Sequence, residues 1–142
     1  MGGIILPATF WPLRPASPAT SPPRGEDDYD RPMELAQRHC VPCEKGTPPL
    51  AADRVEALAK DVPGWKVEHV GGHQQLARTV KFKGFMPGVE LLQRIADIAE
   101  AEGHHPDLCL AYGSLSVTLW THAAGGLTDN DFILAARIDR VI

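Results

Sequence analysis

With 142 residues, 44% of them apolar, the chain has room for one compact domain around one core. Its 14 basic and 18 acidic side chains leave a net charge of −4. That balance excludes global attraction to nucleic acid or an anionic membrane surface and favours a small neutral or polar partner. Three cysteines form no even disulfide framework, and no signal-peptide core followed by a cleavage site is apparent, so a reducing, cytoplasmic setting is expected.

Residues 1–32 are rich in Pro, Ser, Thr and Gly and break their one apolar run at Pro7 and Pro12. A disordered extension is expected there. The stretch to Arg24 lacks acids and carries two arginines, so an organellar targeting role is an alternative, although the prolines spoil an amphipathic helix. A rival reading is that Met33 is the true start, with the preceding residues upstream sequence read in frame. Residues 33–48 read as a lead-in arm containing Cys40-Val41-Pro42-Cys43, and residues 49–142 as the folded domain.

In "LAADRVEALAKDVPGW", Leu50, Val55, Leu58 and Val62 recur at helical spacing until Pro63-Gly64 stops the helix. Two extended runs follow, "WKVEHVG" and "QLARTVKFK", joined through Gly71-Gly72, with Leu76, Val80 and Phe82 on one face. From Phe85 to Glu102 the spacing predicts the longest helix, with Phe85, Val89, Leu92, Ala96 and Ala99 as its apolar stripe and Gly103 as a left-handed cap.

A second hairpin, "LCLAY" and "LSVTLWTH", turns at Gly113-Ser114. Leu115, Val117, Leu119 and Thr121 face one way; Ser116, Thr118, Trp120 and His122 face the other. Thr128 with Asp131 three residues on resembles a capping box opening a last helix through Phe132, Ala135, Ile138 and Ile142. The order is α-β-β-α-β-β-α. An α+β fold follows, with a four-stranded antiparallel sheet and three helices on one face.

His104 and His105 stand where a helix ends. Histidines there often only bind free carbonyls of the last turn. Alternatively, imidazoles titrating near neutrality can accept a proton at one ring and donate one at another, with His122 as a third candidate. His105 precedes Pro106 and favours extended backbone, so the adjacent rings need not enter one pocket. A three-histidine metal site with Glu100 is the rival, but adjacent histidines make an awkward chelate. Cys40 and Cys43 fit a zinc site completed by His39 or Cys109, a redox dithiol, or two small side chains ordering the arm. Trp65, Phe82 and Trp120 read as packing residues, with Trp120 also placed to floor a site for a flat heterocycle.

The stretch "EGHHPDLCLAYGSLSVTLWTHAAGGLTDNDFILAARID" resembles the pterin-4a-carbinolamine dehydratases, and the resemblance runs from about Pro49 to the C-terminus. Its most specific parts are Glu100 followed by His104-His105-Pro106, Thr121-His122 after a strand, and Gly126-Leu127-Thr128 leading through Asp131 into the last helix. The lead-in "CVPCEKGTPPL" and Pro63-Gly64-Trp65 look like the bacterial and plant branch. The resemblance implies dehydration of 4a-hydroxytetrahydropterin to quinonoid dihydropterin, in tetrahydrobiopterin recycling. His104, His105 and His122 would be catalytic; Glu100, Pro106, Trp120, Thr121 and Asp131 would bind substrate. The pterin would be the substrate, with no cofactor and no metal, in a homodimer formed by sheet-edge pairing or a homotetramer. Some relatives of this kind act without catalysis, as transcriptional coactivators or assembly factors, so a partner-binding module is the alternative.

Overall fold

The computed structural model describes residues 32–142. The expectations for the N-terminal extension concern residues that, apart from Pro32, lie outside these; Pro32 opens a helix. The described elements are α1 (Pro32–Gln37), α2 (Ala52–Ala59), β1 (Lys66–Val70), β2 (His73–Lys81), α3 (Met86–Glu102), β3 (Asp107–Ala111), β4 (Ser114–Leu119) and α4 (Asp129–Asp139). The strands form one antiparallel sheet in the order β1-β2-β4-β3. The expected α+β class and four-stranded sheet are present.

The pairing of β2 with β4 sets Leu76 opposite Leu119, Arg78 opposite Val117 and Val80 opposite Leu115. Period-two alternation then sends Leu76, Leu115, Val117 and Leu119 into the core, all at 0% exposure. Both hairpin turns use glycines at positive φ where a Cβ would be strained: Gly71 and Gly72 between β1 and β2, and Gly113 between β3 and β4.

The helices cover that apolar face, and α4 lies deepest. Asn130 through Ala136 are all buried, and Phe132, Leu134, Ala135 and Ile138 are at 0% exposure. Each large side chain so buried contributes about 1.5–3 kcal/mol before the entropy of ordering is subtracted. Beyond the C-terminal end of α4's core stripe, Asp139 Oδ1 accepts hydrogen bonds from Trp65 Nε1 at 2.8 Å and Arg78 Nη1 at 2.5 Å. This ties the start of β1 and the middle of β2 to the last helix. Ile142, expected on the helix stripe, lies beyond the helix and is exposed.

Two expectations are corrected in the helices. The described residues contain four helices, because the lead-in arm opens with α1. Its six residues are too short to show a period, yet Leu35 and Ala36 are buried against the core. In α3 the buried line is Gly88, Leu91, Ile95 and Ala99. Of the stripe expected at Phe85, Val89, Leu92, Ala96 and Ala99, Ala99 is buried and Leu92 packs partly buried against the core, whereas Phe85 is 45% exposed, so the rest of the buried line lies one position earlier than expected. The expectation skipped Gly88, whose missing side chain is what permits close approach: a Cβ there would lie 2.3 Å from Phe82 Cζ and 2.6 Å from Leu110 Cδ1. Gly103 ends α3 as expected, at φ 66°.

Candidate functional site

Three chain segments meet where α3 ends, β4 ends and α4 begins. Gly103 turns the chain out of α3, and His104 follows with its amide donating to Ala99 O. Thr121 follows β4 and bridges to Gly126, closing a tight loop over residues 122–125. Thr128 and Asp131 form the capping box that opens α4.

At the centre is Asp131, at 0% exposure. Its Oδ1 lies 2.6 Å from His104 Nε2; its Oδ2 accepts from Thr121 Oγ1 at 2.8 Å and from Thr128 N at 2.9 Å. Thr121 and Thr128 join their hydroxyls at 2.8 Å. A buried carboxylate is sustained by such donors and by the positive end of the helix it begins. Because a carboxylate only accepts, the network assigns the imidazole hydrogen to Nε2. His104 Nδ1 is then the ring atom left to take a proton. The side chain of His104 is 12% exposed, enough to be reached and too little to be freely mobile.

His105 turns elsewhere. Its Nε2 lies 2.5 Å from Glu100 Oε1, one turn back on α3, with both side chains more than half exposed. Adjacent histidines thus address different carboxylates, in keeping with the opposite side-chain directions that extended backbone before proline favours. Pro106 leads directly into β3 and is partly buried.

On the sheet face away from the helices, Trp120 is stacked with His122 at 3.8 Å between ring centroids and with His73 at 3.6 Å. His122 itself is exposed. The structure therefore brings His104, Thr121 and Asp131 together, pairs His105 with Glu100, and pairs Trp120 with His122. Thr121, joined to Asp131, is the neighbour of His122 in the chain, so one carboxylate anchors both the His104 segment and the His122 segment.

Sequence reasoning passed over His73, Asn130 and Glu102. The alternation of β2 puts His73 on the parity opposite Leu76, but nothing within β2 tells which strand will lie beside it. Asn130 holds the lead-in arm: its Nδ2 donates to Val41 O at 2.6 Å and its Oδ1 accepts from Val41 N at 3.0 Å. Glu102, 4% exposed, accepts from Cys40 N at 2.8 Å and pairs with Arg137 at 3.2 Å. The two arm thiols flank Asn130: Cys40 Sγ donates to its carbonyl at 3.6 Å, and its Nδ2 donates to Cys43 Sγ at 3.3 Å. Burial pushes the Cys40 thiol up to about 12, with the negative charge of Glu102 adding to the effect. Such a thiol packs as a small apolar group. Among the described residues, no group of three or more His, Cys, Asp or Glu is arranged to hold a metal ion. No helix among them is long and apolar enough to cross a membrane.

Residues 48–141 match the family described as Pterin 4 alpha carbinolamine dehydratase. A protein of Rubrobacter xylanophilus, assigned by name to the same dehydratases, is 42% identical over 108 residues, covering 76% of this chain and 98% of that protein. The Arabidopsis thaliana protein named pterin-4-alpha-carbinolamine dehydratase 2, mitochondrial, is 42% identical over 110 residues, covering 76% of this chain and 59% of the relative. A crystal structure from Brucella melitensis, described as a transcriptional coactivator/pterin dehydratase, superposes with a TM-score of 0.59 at 29% identity, over 66% of this chain and 97% of that one.

Proposed function

The chain belongs to the pterin-4-alpha-carbinolamine dehydratase family, and we propose that it removes water from 4a-hydroxytetrahydropterin to give quinonoid dihydropterin, with histidines as general acid and base. The single observation that carries this reading is the His104–Asp131 pair, a partly accessible imidazole held by a fully buried carboxylate.

The reaction needs two proton transfers. A base takes the proton from N5, the freed electron pair forms the N5–C4a double bond, and the hydroxyl leaves C4a with a proton from an acid. His104, with Nε2 occupied by Asp131, offers Nδ1 to one of these steps, and His122 serves the other. Such transfers contribute about 10²- to 10⁴-fold each, sufficient without a metal or an additional cofactor. His105 binds the pterin ring or its hydroxyl, with Glu100 holding its imidazole. Thr121 acts through Asp131, Trp120 through His122, and Pro106 shapes the approach to His105.

A homodimer or homotetramer belongs to the same reading, since the open sheet ends in β1 and β3, whose outer backbone groups can pair with a second copy. The setting is the cytoplasm, or an organelle if the N-terminal extension directs import.

The test is turnover of 4a-hydroxytetrahydropterin by the purified chain, followed by absorbance, with His104→Ala, His105→Ala and His122→Ala beside it. Turnover by the wild type and large losses in His104→Ala and His122→Ala are expected. Unchanged turnover in both variants would overturn the histidine mechanism. An inert wild type would favour a partner-binding role, the other half of the description carried by the Brucella melitensis structure.

A further inference from the structure

The sheet face opposite the helices carries three rings in contact. His73, at the start of β2, and His122, just past β4, each stack on Trp120, with interplanar angles of 17° and 21°. Two nearly parallel rings centred 3.6 and 3.8 Å from one indole cannot occupy the same side of it, because their atoms would coincide. Trp120 is therefore sandwiched, an imidazole on each face. A flat heterocycle cannot lie against the indole unless one imidazole leaves, so the stack serves to hold the rings.

The two imidazoles are anchored differently. His73 Nε2 donates to Gln75 Oε1 at 3.2 Å, and Gln75 Nε2 donates to Glu68 Oε2 at 3.3 Å, which fastens that ring to β1 through β2. His122 lies in the tight loop after β4, and its ring contact is the indole. A side chain exposed in a loop samples several rotamers unless a neighbour selects one.

We propose that His73 is a positioning residue for His122, acting through Trp120. By covering the far face of the indole and being held in turn by Gln75 and Glu68, it fixes the plane on which His122 rests. Its effect on turnover rests on the dehydratase reading of His122; its effect on ring geometry does not. The physical demand is geometric, because a proton-transferring ring misplaced by about 1 Å loses much of its rate advantage.

The experiment uses the full chain and two readouts. Ring-proton chemical shifts of His122, assigned by comparison with His122→Ala, report stacking, since protons over an indole face move upfield; Trp120→Leu gives the unstacked reference. Steady-state dehydration of 4a-hydroxytetrahydropterin supplies kcat and KM, and the amide spectrum shows whether each variant is folded. His73→Ala is expected to relax the His122 ring shifts toward the Trp120→Leu values and to lower kcat about fivefold with little change in KM. His73→Phe, which keeps a flat face, is expected to restore both readouts to within about twofold of wild type. His122 shifts unmoved in folded His73→Ala, or His73→Phe as impaired as His73→Ala, would overturn the proposal. If the wild-type chain dehydrates nothing while the ring shifts respond as described, the dehydratase reading fails and the positioning of His122 by His73 stands.

Discussion

His104 and Asp131 stand 27 positions apart in the chain, yet their side chains meet at 2.6 Å, with the carboxylate closed to solvent. The carboxylate does two jobs there. It caps α4 through Thr128 N, and it fixes which nitrogen of His104 carries the hydrogen.

Asp131→Asn tests that double role. An amide turns one acceptor atom into a donor facing donors, so a buried polar group goes unsatisfied, and urea unfolding should show a loss of about 1–3 kcal/mol. Turnover should fall about 10²-fold or more as His104 loses its fixed tautomer. Wild-type kcat in a folded Asp131→Asn protein would separate Asp131 from the chemistry.

Glu100 and His105 give the opposite expectation for stability. Both side chains are more than half exposed, so the contact is worth about 0–1 kcal/mol and Glu100→Gln should leave the unfolding midpoint nearly unchanged. A large rise in KM or fall in kcat with that substitution would then report contact with substrate rather than damage to the fold.

Gly88→Ala probes the packing of α3 on the sheet. The new methyl would meet Phe82 and Leu110 well inside van der Waals distance. Shifting them should cost about 1–3 kcal/mol in denaturant unfolding, outweighing the gain in helix propensity. A stabilised variant would show that α3 can move off the sheet freely.

The arm thiols make a pH prediction. The folded Cys40 thiol titrates near 12, above its usual 9.0, so the folded state holds its proton more tightly than the unfolded chain. Its contribution to stability is fully present below about 9 and is lost as pH rises toward 12. Cys40→Ala should lessen the fall in stability over that range. In mass-mapped alkylation at pH 8, exposed Cys109 should react well before Cys40. Asn130→Ala, which removes both hydrogen bonds to Val41, should speed the labelling of Cys40. Equal rates at Cys40 and Cys109 in the wild type would contradict the burial argument.

The sequence by itself determined what depends on near neighbours. Alternation in "LSVTLWTH" separated buried Leu115, Val117, Leu119 and Thr121 from the outward-facing residues, Gly103 marked the end of α3, and Thr128 with Asp131 marked the start of α4. Those signals are local because caps, turns and strand parity are set within a few residues. The motif residues Glu100, His104, His105, Thr121 and His122 were legible in the same way, as types at fixed spacing. Tertiary structure alone decided their company. That His104 reaches Asp131 while His105 reaches Glu100, and that His73 lies on Trp120, follows from where α3, β2 and α4 pack against β4. Pairing across tens of residues depends on the total burial of the core, and no window of sequence contains that sum.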